Sequence, residues 1–420
     1  MVKAMYAVAI DLGTTTLAVS LIHTVSGKRL AVGGAMNPQR SFGSDVVSRL
    51  GAAVTSPAAR REMTALIRAE LLRLAQGVCG DAGVAWDLVE RVAIAGNPAM
   101  QHLLLGLELN RLAFPPYLPQ VSSATRLPVA ELGWAGRAQA YVFPMPGGFV
   151  GGDTVAFLFG AGDEPPLPDA PSLFLDLGTN GEMALVAGET VWATSAAAGP
   201  AFEGGNLSCG MAALSGAISS VRIEHDRVRT EVIGNVLPLG ICGSGVLEAI
   251  TQLVQHGILE PGGRLRDSSE ISSNLAGRVV SHDGENAFVI HRDAQRMLLL
   301  TQSDIRQVQL AKGAIRAGLE VLFHRAGISP SGLSSVRLTG SFGAVVRPEW
   351  LKTVGIFDAS MVHTIVFTPE GALAGAERSL MRPDGFEAVE RLALRFRVVP
   401  LSGTPLFERL FLRSLEFSVP

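Results

Sequence analysis

Cysteine is nearly absent. The chain has three in 420 residues, Cys79, Cys209 and Cys242, far apart in sequence, so neither a disulfide framework nor a cysteine-built cluster site is available to it. Charged residues are also few, at 17%, the formal net charge is only −3 and no basic block occurs, which removes the electrostatic case for nucleic acid. Apolar runs are broken by glycine, proline or charge well short of the ~20 residues that a bilayer span requires. Met1-Val-Lys-Ala-Met5 leads straight into a strand without a charged-then-apolar leader, which points to the cytoplasm.

What is plentiful is apolar residue, 48% of a chain too long for one ordinary core and suited to two α/β domains. Two short stretches of one design organise it, Asp11-Leu-Gly-Thr-Thr-Thr16 and Asp176-Leu-Gly-Thr-Asn-Gly-Glu182. Each follows an apolar run that reads as a buried strand, Tyr6 to Ile10 and Ser172 to Leu175, and each opens a hairpin. A strand that delivers an aspartate into a Gly-Thr turn presents consecutive backbone N–H groups and hydroxyls to phosphate oxygens. Glycine admits the close approach, and the aspartate is placed to hold a hydrated Mg²⁺ bridging the phosphates. The expected phosphate contacts are Gly13, Thr14 and Thr15 in the first turn and Gly178, Thr179 and Asn180 in the second. Two such turns imply two facing lobes around one nucleotide.

The intervening chain adds further candidates. Asn37-Pro-Gln-Arg40 reads as a surface loop or a cleft loop. Asn97, where the strand Arg91–Ala95 meets a helix start, reads as a helix cap; His102, on an apolar helix, reads as packed. Pro146-Gly-Gly-Phe-Val-Gly-Gly-Asp153 approaches a helix over 155–160. Its glycines either serve tight packing or bring Asp153 to the cleft, where it would orient a water. The Pro-rich, charged segment Asp163-Glu-Pro-Pro-Leu-Pro168 sets a lobe boundary. Glu203 reads as a helix-start carboxylate or as a second acid facing the nucleotide. Gly243, Ser244 and Gly245 open a helix whose free N–H groups suit phosphate. Gln309, Lys312 and Arg316 share a side of a long helix beginning near Asp304 and border a ribose and adenine, or are simply solvated. Strand Ser335–Thr339 ends in Gly340-Ser341-Phe342-Gly343, a turn against which an adenine can lie flat. A late helix spans 371–381 and a terminal one 406–417.

Three such strand ends in this order resemble the ATPase superfamily of acetate and sugar kinases, heat-shock chaperones and actin. The resemblance implies an actin-like α/β fold of two lobes, each a mixed sheet flanked by helices, with the nucleotide in the cleft between them. Residues 1–165 would form the first lobe, and 166–420 the second, with the terminal helix free to return to the first. Further segments are similar to those of the reductive activators of corrinoid enzymes: Asn37-Pro-Gln-Arg-Ser-Phe-Gly43, Ala95-Gly-Asn-Pro-Ala-Met100, Ala198-Gly-Pro-Ala-Phe-Glu-Gly204, Gly240-Ile-Cys-Gly-Ser-Gly245 and Leu310-Ala-Lys-Gly-Ala-Ile-Arg316.

The likeness runs from about residue 5 to the C-terminus. It implies an ATPase that assists reduction of cobalt(II) to cobalt(I) in a corrinoid protein or corrinoid-dependent methyltransferase. Asp11 and Asp176 would hold Mg²⁺ beside ATP, and Asp153 would complete the catalytic set. Gly243, Ser244, Gly245, Gln309, Lys312, Gly340, Ser341, Phe342 and Gly343 would line the nucleotide. Family members typically carry an N-terminal ferredoxin-like domain with four cluster-binding cysteines. Three scattered cysteines cannot supply four ligands, so no iron–sulfur cluster is expected in this chain and the electrons are expected from a separate donor. A small-molecule kinase of the same superfamily and a nucleotide-binding scaffold without a corrinoid role are the alternatives.

Overall fold

A computed structural model describes residues 5–162, 170–340 and 345–418; the expected linker and Ser341, Phe342 and Gly343 lie outside the described residues. Two compact units emerge. The first holds the chain up to Phe174 with Ala184–Thr194 and Glu370–Val399; the second holds Leu175–Met183, Ser195–Pro369 and the chain from Pro400 onward. The expected division drew one boundary at 165/166. The compact units also interleave along the chain, and the late segment that joins the first unit is 370–399, while the terminal helix stays with the second.

The first sheet contains β1 (Tyr6–Leu12), β2 (Thr16–His23), β3 (Lys28–Met36), β4 (Val89–Gly96), β5 (Thr125–Pro128) and β6 (Gln139–Val142), in the order β3-β2-β1-β4-β6-β5. Alternation along β1 and β4 sorts their side chains onto two faces. Val8, Ile10, Leu12, Val92 and Ile94 enter the core with α1 (Val46–Thr55), α2 (Pro57–Asp81) and α3 (Pro98–Leu105). Two features of α2 mark its start, the Ser56 cap that accepts from Ala59 N and Pro57 at the first position. A four-residue helix, α4 (Asn110–Ala113), follows α3.

On the opposite face β1 and β4 present the small residues Ala7, Ala9, Ala93 and Ala95, which pack with α5 (Gly152–Ala161). Small side chains on a sheet let a helix, and a second helix beside it, approach closely. After α5 come β7 (Ser172–Leu177), β8 (Gly181–Ala187) and β9 (Thr190–Ala196).

In the second unit, β10 (Ala217–Glu224), β11 (Arg227–Val232) and β12 (Gly240–Ile241) form one three-stranded sheet, in the order β11-β10-β12, against which α6 (Gly243–Gln255) packs. A meander of β13 (Val279–His282), β14 (Glu285–Arg292) and β15 (Met297–Thr301) forms another. It leads into α7 (Gln302–Ala326), whose start is fixed by a capping box: Thr301 Oγ1 accepts from Asp304 N at 3.1 Å and Asp304 Oδ2 from Thr301 N at 2.9 Å. Then follow β16 (Ser335–Gly340), α8 (Pro348–Thr353) and β17 (Ile365–Phe367), which pairs parallel with β16.

The chain next contributes α9 (Gly371–Met381), α10 (Gly385–Ala393) and β18 (Phe396–Val398) to the first unit, where β18 pairs parallel with β9. Glycine explains why α9 belongs beside α5. A Cβ at Gly375 would stand 1.8 Å from the Ala156 carbonyl oxygen, and one at Gly160 would stand 2.6 Å from Gly375 N. Terminal helix α11 (Pro405–Arg413) packs on α7 within the second unit. It is shorter than the sequence suggests, and Phe417 is buried beyond its end.

Candidate functional site

In the first unit, β1 carries Asp11 to the edge of the Gly13–Thr15 turn on the strand face shared by Ala7 and Ala9, the face covered by α5. Gly13 is demanded by the hairpin, because a Cβ there would lie 2.4 Å from the Thr16 carbonyl oxygen. Two Asn-Pro pairs grip this turn. Asn37 caps the 3-10 turn Pro38–Phe42 by accepting from Gln39 N at 3.0 Å, and its Nδ2 donates to the Gly13 carbonyl at 2.9 Å. Its own backbone N–H donates to the Thr15 carbonyl at 2.9 Å. Asn97 caps α3 by accepting from Met100 N at 3.1 Å and donates from Nδ2 to Thr14 Oγ1 at 2.8 Å. Both asparagines are buried. The helix-cap reading of Asn97 holds, and the same residue also reaches the Gly13–Thr15 turn.

The N-terminus of α5 meets the end of β4. A Cβ at Gly151 would fall 2.5 Å from the Gly96 carbonyl oxygen and 2.8 Å from Asp153 Oδ1, so these glycines do serve close packing. That packing also brings Asp153 to the Gly96–Asn97 end of the sheet, where β1 aligns Leu12 with Gly96. Asp153 accepts from Thr154 N at 2.7 Å. Desolvation nevertheless outweighs these hydrogen bonds and pushes its carboxyl up to about 6. His102 is packed, as read: Nδ1 donates to the Pro98 carbonyl and Nε2 accepts from Gln120 N, a neutral imidazole whose pKa burial lowers.

In the second unit, β7 delivers Asp176 to the Gly178–Asn180 turn, which closes by Gly178 N donating to Asn180 O at 3.0 Å. Thr179 donates its hydroxyl to Glu203 on the 3-10 turn Pro200–Glu203. Gly340, at the end of β16, lies against this strand. A Cβ there would sit 2.3 Å from the Leu177 carbonyl oxygen and 3.0 Å from Asp176 Oδ1, in a backbone with φ +123° that disfavours any side chain. The third strand end is thereby joined to the second.

Other predicted residues take different surroundings. Ser244 donates to the Ser219 carbonyl at 2.9 Å, and a Cβ at Gly245 would be 2.4 Å from the Ile218 carbonyl oxygen. With Gly243 also buried, this glycine run seats α6 on β10. Gln309, Lys312 and Arg316 do share a side of α7, but that side meets other chain segments. Gln309 Nε2 donates to the Leu415 carbonyl at 2.9 Å, and Lys312 Nζ donates to that of Glu416 and lies 5.4 Å from the Phe417 ring. Arg316 pairs with Asp358. The fully buried Lys312 ammonium is pushed down to about 7, chiefly by desolvation.

Residues 170–419 match the family model described as the C-terminal domain of RACo, the ASKHA domain, and residues 6–162 match the RACo middle region. The chain belongs to the RACo family. It is 29% identical over 99% of its length to the corrinoid activation enzyme RamQ of Eubacterium limosum, covering 71% of that protein. It is 26% identical over 84% of its length to a methylated-amine-specific Co(II) corrinoid protein reductase of Methanosarcina barkeri, covering 65% of that one. A solved reductive activator for corrinoid, iron-sulfur protein superimposes with a TM-score of 0.86 at 27% identity, over 99% of this chain and 67% of that one. The RACo fold is therefore the actin-like α/β fold that the three strand ends suggest.

The residues of this RACo-family chain fit a nucleotide and its metal. At Gly178 the nearest atom to an added Cβ is Asn180 O at 3.7 Å, ordinary contact, so that side of the turn is not filled by the protein itself. Among the described residues no group of three or more His, Cys, Asp or Glu is disposed to hold a metal ion. Among the described residues no helix is long and apolar enough to cross a membrane.

Proposed function

We propose that this chain binds and hydrolyses Mg-ATP and uses it to assist reductive reactivation of a corrinoid protein, with electrons from a separate donor. Family membership and relatives named as corrinoid activation enzymes support the biological role. What carries the nucleotide reading is the repeated turn. Each unit has a strand-end aspartate followed by a glycine and a threonine in a tight turn, Asp11 with Gly13 and Thr14 and Asp176 with Gly178 and Thr179.

In this reading Asp11 and Asp176 are metal-ligand candidates, each beside the turn of its own unit, and a hydrated metal would neutralise phosphate charge. Thr14, Thr15, Thr179 and Asn180 contact phosphate, Asp153 orients a water, and Gly340 lets the end of β16 close against Leu177 and Asp176. Cobalt(II) corrinoid is hard to reduce, and a nucleotide that favours one conformation of the activator–substrate complex can shift the equilibrium only by its differential affinity for the two states. The test has two parts. Purified protein should hydrolyse ATP and retain a corrinoid protein in an ATP-dependent pull-down, and Asp11→Ala and Asp176→Ala should lose both. Unchanged hydrolysis in both variants rejects the site, and retention of a partner without corrinoid rejects the role.

A further inference from the structure

We infer that Asn97 is a positioning residue of the first phosphate turn, one that turns the Thr14 hydroxyl into a dedicated donor for a phosphate oxygen. The inference deepens the nucleotide reading above and rests on it.

The orientation of the Asn97 amide follows from chemistry. Met100 N can only donate, so the atom 3.1 Å from it must be the amide oxygen. The atom 2.8 Å from Thr14 Oγ1 is therefore the NH₂ group, which can only donate in turn. Thr14 Oγ1 is thus an acceptor in this contact, and its single proton is directed elsewhere. Thr14 is partly exposed, and among the described residues its proton meets no acceptor. A hydroxyl so placed, beside the backbone N–H groups of the Gly13–Thr15 turn, is set to donate to an anion.

Asn37 works on the same turn by the same logic. Gln39 N identifies its amide oxygen, so its NH₂ faces the Gly13 carbonyl and ties that acceptor down. With the carbonyl engaged, the turn presents donors and not acceptors to a phosphate. Asn97 and Asn37 are held by helix caps at fixed strand ends, and neither need move for this.

Substitution can separate the cap from the positioning role. Serine and aspartate both cap a helix about as well as asparagine, but neither offers the amide donor. Asn97→Ser removes the donor alone. Asn97→Asp goes further: its second carboxylate oxygen takes the Thr14 proton and adds a negative charge beside the phosphates. Affinity for Mg-ATP is measured by calorimetry on the full chain, with the melting temperature of the nucleotide-free protein as a control. Expected losses are about tenfold for Asn97→Ser and larger for Asn97→Asp. In a Thr14→Val background, Asn97→Ser should have almost no further effect on affinity.

A residue that merely caps α3 would give equal affinities for asparagine, serine and aspartate, and that result overturns the inference. So would an undiminished effect of Asn97→Ser in the Thr14→Val background. Failure of the wild-type chain to bind Mg-ATP would overturn the nucleotide reading itself, and the positioning role with it.

Discussion

Thr179 donates its hydroxyl proton to the carboxylate of Glu203, 24 residues further along the chain. The polarity is opposite to that of Thr14, which accepts from Asn97. A proton given to a carboxylate is not simultaneously available to a phosphate, and the carboxylate itself repels one. On the proposed nucleotide reading, Glu203 weakens anion binding at the second turn, and the contact rearranges when a phosphate arrives there.

Glu203→Gln should therefore tighten Mg-ATP binding. Removing one negative charge near the phosphates is worth on the order of 1 kcal/mol at high effective dielectric, or about fivefold in affinity. Calorimetric titration of the variant against wild type checks this; weaker binding would show that Glu203 orders the turn for its ligand instead of competing with it.

Gly375→Ala should strongly destabilise the first unit. Its Cβ would stand 1.8 Å from a backbone oxygen of α5, which cannot rotate away as a side chain can. The cost is on the order of 3 kcal/mol, visible in urea unfolding as a lower midpoint. Gly80→Ala, where nothing lies within 4 Å of the added atom, is the control and should leave stability unchanged or slightly raised.

The two hairpins at Asp11 and Asp176, β4 and the core of α7 were legible because each rests on local pattern: an apolar strand, a turn residue, a 3.6-residue period. Strand β3 was not, since Lys28–Met36 is an edge strand with weak alternation and two central glycines. The side of α7 shared by Gln309, Lys312 and Arg316 was read correctly as a side, but periodicity cannot say what covers it. The covering atoms lie about a hundred residues away in sequence, at Leu415 and Glu416. Asn97 was visible as a helix cap and Asn37 only as part of a loop; the contact each makes to the Gly13–Thr15 turn needed the fold to close. The signal that could have found it was the repetition of Asn-Pro itself.

Lys312 makes stability depend on pH on the alkaline side. Its folded pKa of about 7 lies below the ordinary lysine value of about 10.4. Between the two the unfolded chain binds the proton and the folded chain does not, so stability falls as pH is lowered from 10 to 7. Lys312→Met lacks this dependence but leaves the Glu416 carbonyl without its donor. The variant should be clearly less stable than wild type near pH 10, and the gap should narrow toward pH 7. Melting temperatures across that range decide; a constant gap would place a charged lysine in the folded protein throughout.

Asp153 works in the opposite direction, because its folded pKa of about 6 lies above the ordinary aspartate value of about 3.9. Below 3.9 both states are protonated, and the favourable contribution of the neutral acid is fully present. It is lost as pH rises to 6, where the folded protein must hold a desolvated carboxylate. Asp153→Asn keeps the shape without the charge. Its melting temperature relative to wild type should therefore climb between pH 4 and pH 6 and then level off, reaching a gain of a few degrees, ~2–4 °C. The same substitution should lower ATP hydrolysis by about 100-fold if the carboxylate orients the attacking water, and wild-type hydrolysis should rise with pH through about 6. A variant more stable than wild type at neutral pH yet catalytically silent is what a carboxylate kept for chemistry predicts; a variant both stable and fully active would leave Asp153 with no part in the reaction.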